Sequence, residues 1–137
     1  MKFDYKDIGE GALRPHIRIK IRNPKNAEEV SCYALVDSGA DMSLFDPILA
    51  AAIGIDFEQG VQRPVQGVVA GAPGYFFEHT VEVIIGGHII PMSVGFMPGM
   101  ASNGNGLLGQ SGFFEAFNFV KFDKRRHVVE LGSFKIE

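Results

Sequence analysis

The apolar run Ala34-Leu35-Val36 leads straight into Asp37-Ser38-Gly39-Ala40-Asp41, so a strand built for a core ends on a carboxylate. At the end of a buried β-ladder the backbone is rigid and water is scarce. Gly39 lets the chain turn there and leaves room for another backbone to approach closely. Ser38 adds a short hydroxyl that can hold a neighbouring loop by hydrogen bonds. The motif occurs once, and no other acid in the chain has so specific a setting.

The segments around it read as mostly β. His16-Ile17-Arg18-Ile19-Lys20-Ile21-Arg22 alternates apolar and polar residues, the period of a half-buried strand. Asn23-Pro24-Lys25-Asn26 is a turn, and Val30 to Val36 a second strand, so a hairpin delivers Asp37 at its end. A helix follows, with Asp46 as N-cap, Pro47 at the first helical position, Ile48 to Ile53 as its body and Gly54 beyond its end. Pro64 to Val69 and Tyr75 to Ile85 are strands flanking the small-residue tip Ala70-Gly71-Ala72-Pro73-Gly74, and the second arm alternates from Phe77 to Val83. Gly86-Gly87 is a tight turn into a strand from His88 to Phe96. A Gly/Asn-rich loop, Met97 to Gly106, leads to Leu107-Leu108-Gly109 and a short helix around Ser111 to Phe117. A last hairpin runs from Asn118 to Phe122 and from His127 to Leu131, with its turn at Asp123 to Arg126.

Bulk properties narrow the function classes. A chain of 137 residues is one domain, spanning 1–137, with its own core. A net charge of −3 with 21% charged residues offers no basic field for nucleic acid or an anionic membrane. No apolar stretch is long enough to span a bilayer, and Met1 to Asp7 lacks the layout of a signal peptide. The single cysteine, Cys32, excludes an intrachain disulfide and is expected to be packed rather than reactive; a reducing cytoplasm is the expected location.

In this order the elements resemble the retropepsin family, the single-domain aspartic proteases typified by retroviral proteases. The match covers roughly residues 15 to 131 and has four parts: Leu35-Val36-Asp37-Ser38-Gly39-Ala40-Asp41; the helix after Ser43-Leu44-Phe45; the small-residue hairpin tip at Ala70 to Gly74; and Gly106-Leu107-Leu108-Gly109 before a short helix. The resemblance implies a single-domain closed β-barrel with a flap hairpin, one helix after the catalytic loop and one short C-terminal helix. It also implies an aspartic endopeptidase, a hydrolase working as a homodimer on a peptide or protein substrate, with no cofactor and no metal.

The chemistry says why two chains are needed. Peptide hydrolysis by this route uses two carboxylates flanking one water: one, ionised, takes a proton from the water, and the other, protonated, donates to the scissile carbonyl. Like charges about 3 Å apart cannot both ionise, so the pair holds one proton, as aspartic proteases exemplify. Each chain carries one Asp-Ser-Gly, so a two-fold axis between two copies of Asp37 would complete the site. By the same resemblance Ser38 would bond across that axis, and the Gly39 amide and Asp41 would hold substrate backbone beside Ala40. The tip Val69-Ala70-Gly71 would close over an extended peptide. Val36, Ile48, Val68, Val69 and Leu107 would line apolar subsites. The terminal segments, Lys2 to Arg14 and Phe134 to Glu137, would be candidates for further dimer contacts.

The pattern departs from the family in three places. Ser38 stands where retroviral enzymes usually have threonine. Gln110 follows Gly109 where many relatives have an arginine paired with the acid corresponding to Asp41. Pro73 stiffens a tip that is usually glycine-rich.

Simpler accounts stand beside these. Asp37-Ser38-Gly39 can be a turn whose side chain caps its own backbone, Asp41 can cap the segment from Ser43, and Ser43 is expected only to cap. Gly104-Asn105-Gly106-Leu107-Leu108-Gly109 spells Gly-x-Gly-x-x-Gly but lacks the strand, long helix and further βα units of a dinucleotide site. His16, His79, His88 and His127 are too scattered to ligate a metal; His79 and His88 could meet across a hairpin, but solvated strand-face positions suit them better. A non-catalytic or weakly catalytic dimeric module that binds peptide on the same fold is the alternative function.

Overall fold

The computed structural model describes residues 1–65, 74–100 and 106–135. Of the expected hairpin tip and its approach, residues 66–73, including Val68, Val69, Ala70 and Gly71, lie outside the described residues.

The chain is mostly β. The described elements are β1 (Lys2–Asp4), β2 (His16–Arg22), β3 (Glu29–Val36), β4 (Leu44–Phe45), helix α1 (Pro47–Ala52), β5 (Val61–Pro64), β6 (Tyr75–Ile85), β7 (His88–Phe96), β8 (Gly106–Leu108), β9 (Val120–Asp123) and β10 (Val128–Leu131). Seven strands form one sheet in the order β2-β3-β8-β4-β7-β6-β5, and β2 also pairs with β6. Six of them therefore close into a barrel, with β5 attached outside the ring.

The length of β6 makes that closure possible. Its end pairs with β2 (Lys20↔Ile84, Arg22↔Glu82), its start pairs with β5 (Pro64↔Tyr75, Val61↔Glu78), and β7 runs beside it from Phe77 to Ile85. Alternation holds along the barrel part, where Val81, Val83 and Ile85 are buried. It breaks at Phe76, which is buried while its neighbour Phe77 is half-buried and packs edge-on against Phe57. The strand thus serves two layers, the barrel core and the cleft outside it.

The interior is filled by Ile17, Ile19 and Ile21 of β2, Cys32, Ala34 and Val36 of β3, and Val94, Phe96 and Leu108 opposite them. Inward positions of a small barrel are filled by side chains in this way. Burial pushes the Cys32 thiol up to about 12, which suits a packed residue. His16 departs from the expected pattern: it opens the alternating β2 at a polar position but is buried, at 2% exposure.

Local signals are realised closely. The Asp46 carboxylate accepts the Ile48 amide at 2.9 Å, Pro47 begins α1, Ile53 is its C-cap, and Gly54 adopts φ +74 beyond it. Gly86 and Gly87, at φ +54 and +84, make the turn between β6 and β7. The second expected helix shrinks to a single 3-10 turn at Phe114–Ala116, because Gly112 at φ +88 prevents a helix from starting at Ser111.

The terminal segments are engaged within the chain. β1 pairs with β10 (Lys2↔Glu130), β10 pairs with β9, and Phe134 bridges to Phe117. His79 and His88 do not meet: His79 lies opposite Val94, and His88 stacks on Phe134 with ring centroids 5.1 Å apart.

Candidate active site

Asp37 follows a strand held on both sides. β2 runs antiparallel to β3 along one edge, with His16 opposite Leu35, and β8 runs parallel along the other, with Leu35 opposite Leu107 and Val36 opposite Leu108. The ladder continues one step further, as the Asp37 amide donates to the Leu108 carbonyl at 3.0 Å. The carboxylate therefore leaves a fixed backbone point, half-buried, at the rim of the barrel.

The turn after it is tight. Oδ1 of Asp37 accepts the Gly39 amide at 2.9 Å, and the Asp37 carbonyl accepts the Ala40 amide at 3.2 Å. A Cβ on residue 39 would come within 3.3 Å of that same carboxylate oxygen, so glycine leaves the acid uncrowded.

Residues 38–43 then press on residues 109–111. The Gln110 amide donates to the Ala40 carbonyl at 2.8 Å and the Ser111 amide to the Asp41 carbonyl at 2.8 Å. The Gln110 side chain donates through Nε2 to the Ser38 carbonyl at 2.8 Å. Ser43, fully buried, accepts the Gly109 amide on its hydroxyl at 3.1 Å. Its expected role as a cap is thus replaced by a non-local one. No side chain fits at residue 109, where a Cβ would stand 2.5 Å from the Met42 carbonyl oxygen and 2.8 Å from that of Ala40.

A cavity of about 460 Å³ opens beside this loop. Asp37, Gly39, Ala40, Asp41 and Leu107 line it, so five of the expected site residues meet at one place. Its other wall is apolar: Met42, Leu44, Pro64, Val65 and Phe76. Pro64, Val65 and Phe76 belong to the stem of the β5–β6 hairpin, whose last described bond runs from the Val65 amide to the Gly74 carbonyl at 2.7 Å. The sequence did not single out these wall residues. The adjacent aromatics Phe76-Phe77, which break the alternation of β6, were the available signal.

Other expected lining residues lie elsewhere. Val36 points into the core at 3% exposure, because β3 alternates and its neighbour Asp37 takes the outward place. Ile48 is exposed on α1 and does not line the cavity. Ser38 is exposed at the loop surface. Among the described residues no group of three or more His, Cys, Asp or Glu is arranged to hold a metal ion, and no helix is long and apolar enough to cross a membrane.

This architecture is shared with a solved protein. A retropepsin-like aspartic protease from Rickettsia conorii superposes with a TM-score of 0.64 over 94% of this chain and 88% of that one, at 18% sequence identity. The chain has a retropepsin-like fold. EIAV protease, solved with the inhibitor HBY-793, is a more distant likeness, with a TM-score of 0.41 and 21% identity over 73% of this chain and 85% of that one. No protein-family model and no curated protein sequence matches the chain. Within the retropepsin-like fold, the Asp37 loop, the Gly106–Leu108 strand beside it and the hairpin stem across the cavity stand in the order anticipated from the sequence.

Proposed function

We propose that this chain is an aspartic endopeptidase whose active site is completed by a second copy. Two Asp37 carboxylates, one from each subunit, would share a proton and flank the attacking water. One accepts a proton from the water as it attacks the scissile carbonyl, and the other donates its own to the carbonyl oxygen. The observation that carries this reading is the placement of Asp37: a carboxylate on a backbone clamped by two strands, with one oxygen held by the Gly39 amide, at the edge of a cavity large enough for a side chain.

Ser38, Gly39, Ala40, Asp41 and Leu107 keep the supporting and substrate-holding roles expected of them. The hairpin over the cavity would act as the flap, its tip at Val69, Ala70 and Gly71 closing on an extended peptide. Gln110 takes over part of the work of the absent arginine: its amide and side chain tie the loop without a charge.

The test is cleavage of an unstructured protein between about pH 4 and 6, where two close carboxylates hold one proton. Activity should be lost by about a thousandfold or more in Asp37→Asn, because no carboxylate remains to activate water, and blocked by a statine-type inhibitor. Sedimentation should show the active species to be a dimer. Peptide binding without cleavage by the wild-type chain would instead make it a binding module on this fold. A fully active monomer would remove the shared site.

A further inference from the structure

The three-stranded sheet ends on an open edge. Its order is β1-β10-β9, so β1, within a terminal segment that the resemblance offered for dimer contacts, is already paired with β10 of its own chain. β9 has β10 on one side and, among the described residues, no strand on the other. Phe119, just before β9, and Phe122, within it, are 49% and 39% exposed. A free strand edge is a template for pairing with another chain.

The bonding of its neighbours fixes which groups this edge presents. Met1 and Leu131 exchange both backbone bonds, at 2.9 and 2.8 Å, and the Gly132 amide donates to the Phe119 carbonyl at 2.8 Å. Opposed residues of an antiparallel pair alternate between bonded and non-bonded. Leu131 and Val129 therefore turn their backbone groups to β1, and Lys121 and Asp123 turn theirs to β10. The amides and carbonyls of Val120 and Phe122 face outward. The side chains divide too: Phe122 shares a face with buried Val129, and Lys121 and Asp123 lie on the opposite face. The sheet is tied to the candidate site by a short run of backbone bonds. The Tyr5 amide donates to the His127 carbonyl at 2.7 Å, Lys6 pairs with Arg14, and the Pro15 carbonyl accepts the amide of Val36, next to Asp37, at 2.9 Å.

We infer that β9 is the edge through which two copies join, pairing antiparallel about Phe122 so that two three-stranded sheets become one of six. The inference rests on the reading that a second copy completes the active site, and it names the surface that brings that copy in. Charge selects the register. Centred on Lys121, the pairing would set two lysines face to face; centred on Asp123, two aspartates. Centred on Phe122, each Lys121 stands opposite the partner's Asp123, and the outward backbone groups of Phe122 bond those of the partner's Phe122. Neither Lys121 nor Asp123 has an ion-pair partner among the described residues. A two-fold dimer has a single axis, so the operation that joins the strands must also set the two Asp37 carboxylates together.

The test is a charge swap read by sedimentation equilibrium, with the wild-type chain expected to be a dimer. Lys121→Glu sets a carboxylate against the partner's Asp123 twice per dimer, and Asp123→Lys sets an ammonium against the partner's Lys121 twice. Each variant alone should self-associate about tenfold more weakly, since like charges directly opposite repel. An equimolar mixture of the two should recover the wild-type affinity, because every cross-pair is again opposite in sign. Peptidase activity should fall in each variant and return in the mixture. Asp123→Lys also gives up the bond from the Arg126 amide at 3.1 Å, so its fold is checked by circular dichroism; Lys121→Glu changes an exposed side chain and tests the edge by itself. A wild-type dimer that Lys121→Glu leaves unchanged overturns the inference and leaves the endopeptidase reading intact. Two folded variants that are weakened singly but not rescued by mixing overturn it as well. Swap-dependent dimers that cleave nothing support the inference and overturn that reading. A wild-type monomer that is fully active overturns both.

Discussion

The two structures that face each other across the apolar cavity are held in opposite ways. On one side the Asp37 loop and residues 106–111 are joined by backbone amides and carbonyls, one buried hydroxyl and the uncharged Gln110 side chain, with Gly109 where no side chain fits. On the other, the β5–β6 hairpin is tied to β7 by a surface network in which Glu78 takes the Arg63 guanidinium on one carboxylate oxygen and the Ser93 hydroxyl on the other. β5 is exposed throughout, while Ser43 and Gly109 are buried. The difference suits the proposed peptidase, in which one wall would fix a carboxylate and the other would let a peptide in. A buried, charge-free contact cannot loosen in steps, because each unmade bond strands a polar group. A half-exposed ion pair exchanges readily with water and costs little to open.

If this contrast is right, the strongest response lies on the closed side. Gly109→Ala would drive a methyl into the Met42 and Ala40 carbonyls, backbone atoms that cannot rotate away. The expected cost is about 3 kcal/mol or more, read by circular dichroism as a melting temperature lowered by about 10 °C or more. A stable Gly109→Ala protein would mean that the two segments are far less tightly joined than their hydrogen bonds indicate.

Ser43→Ala comes next. It keeps the volume nearly constant and removes the acceptor of the buried Gly109 amide. The loss should be about 1–3 kcal/mol, the range for a stranded buried donor. It should appear as a lower denaturant midpoint at an unchanged slope. Peptidase activity, if present, should fall with stability rather than through a shifted pH profile, since Ser43 touches no reacting group.

How far these two sides could be read in advance follows from how local their causes are. The β2–β3 hairpin, the Asp46-Pro47 start of α1 and the Gly86-Gly87 turn are set by neighbours in sequence, and each appears where the residues imply it. The association of Asp37 with Leu107 was legible through a resemblance in motif order rather than through any physical periodicity. Three features were not legible. β4 is two residues long, and its partners in β7 and β8 lie about fifty and about sixty residues further on, so no alternation could mark it. Ser43 looks like a local cap, yet its partner is Gly109. His16 stands at a polar position in an alternating strand and is buried, with its amide bonded to the carbonyl of Arg14, which itself pairs with Lys6. Each depends on a contact between distant segments.

The smallest effect belongs to the open side, and it carries a pH signature. The Ser93 hydroxyl first, and the Arg63 guanidinium second, hold the Glu78 carboxyl below its usual range. A carboxyl depressed in the folded state lends its full stabilisation above the ordinary glutamate value, and loses it as pH falls through the lower folded value. The stem should therefore stay tied through mildly acidic conditions and loosen only below them. Glu78→Gln removes the charge but leaves a side chain that can still accept from Ser93. Global stability near neutral pH should drop by about 0.2–1 kcal/mol, the scale of a half-exposed pair. Amide exchange in β5, at Gln62 and Arg63, should quicken severalfold while exchange in β3 stays unchanged. The acid-dependent quickening seen in the wild-type chain should disappear, because residue 78 no longer titrates. Equal acceleration in β3 and β5 would show that the two sides of the cleft open together, and the contrast between a fixed wall and a movable one would fail.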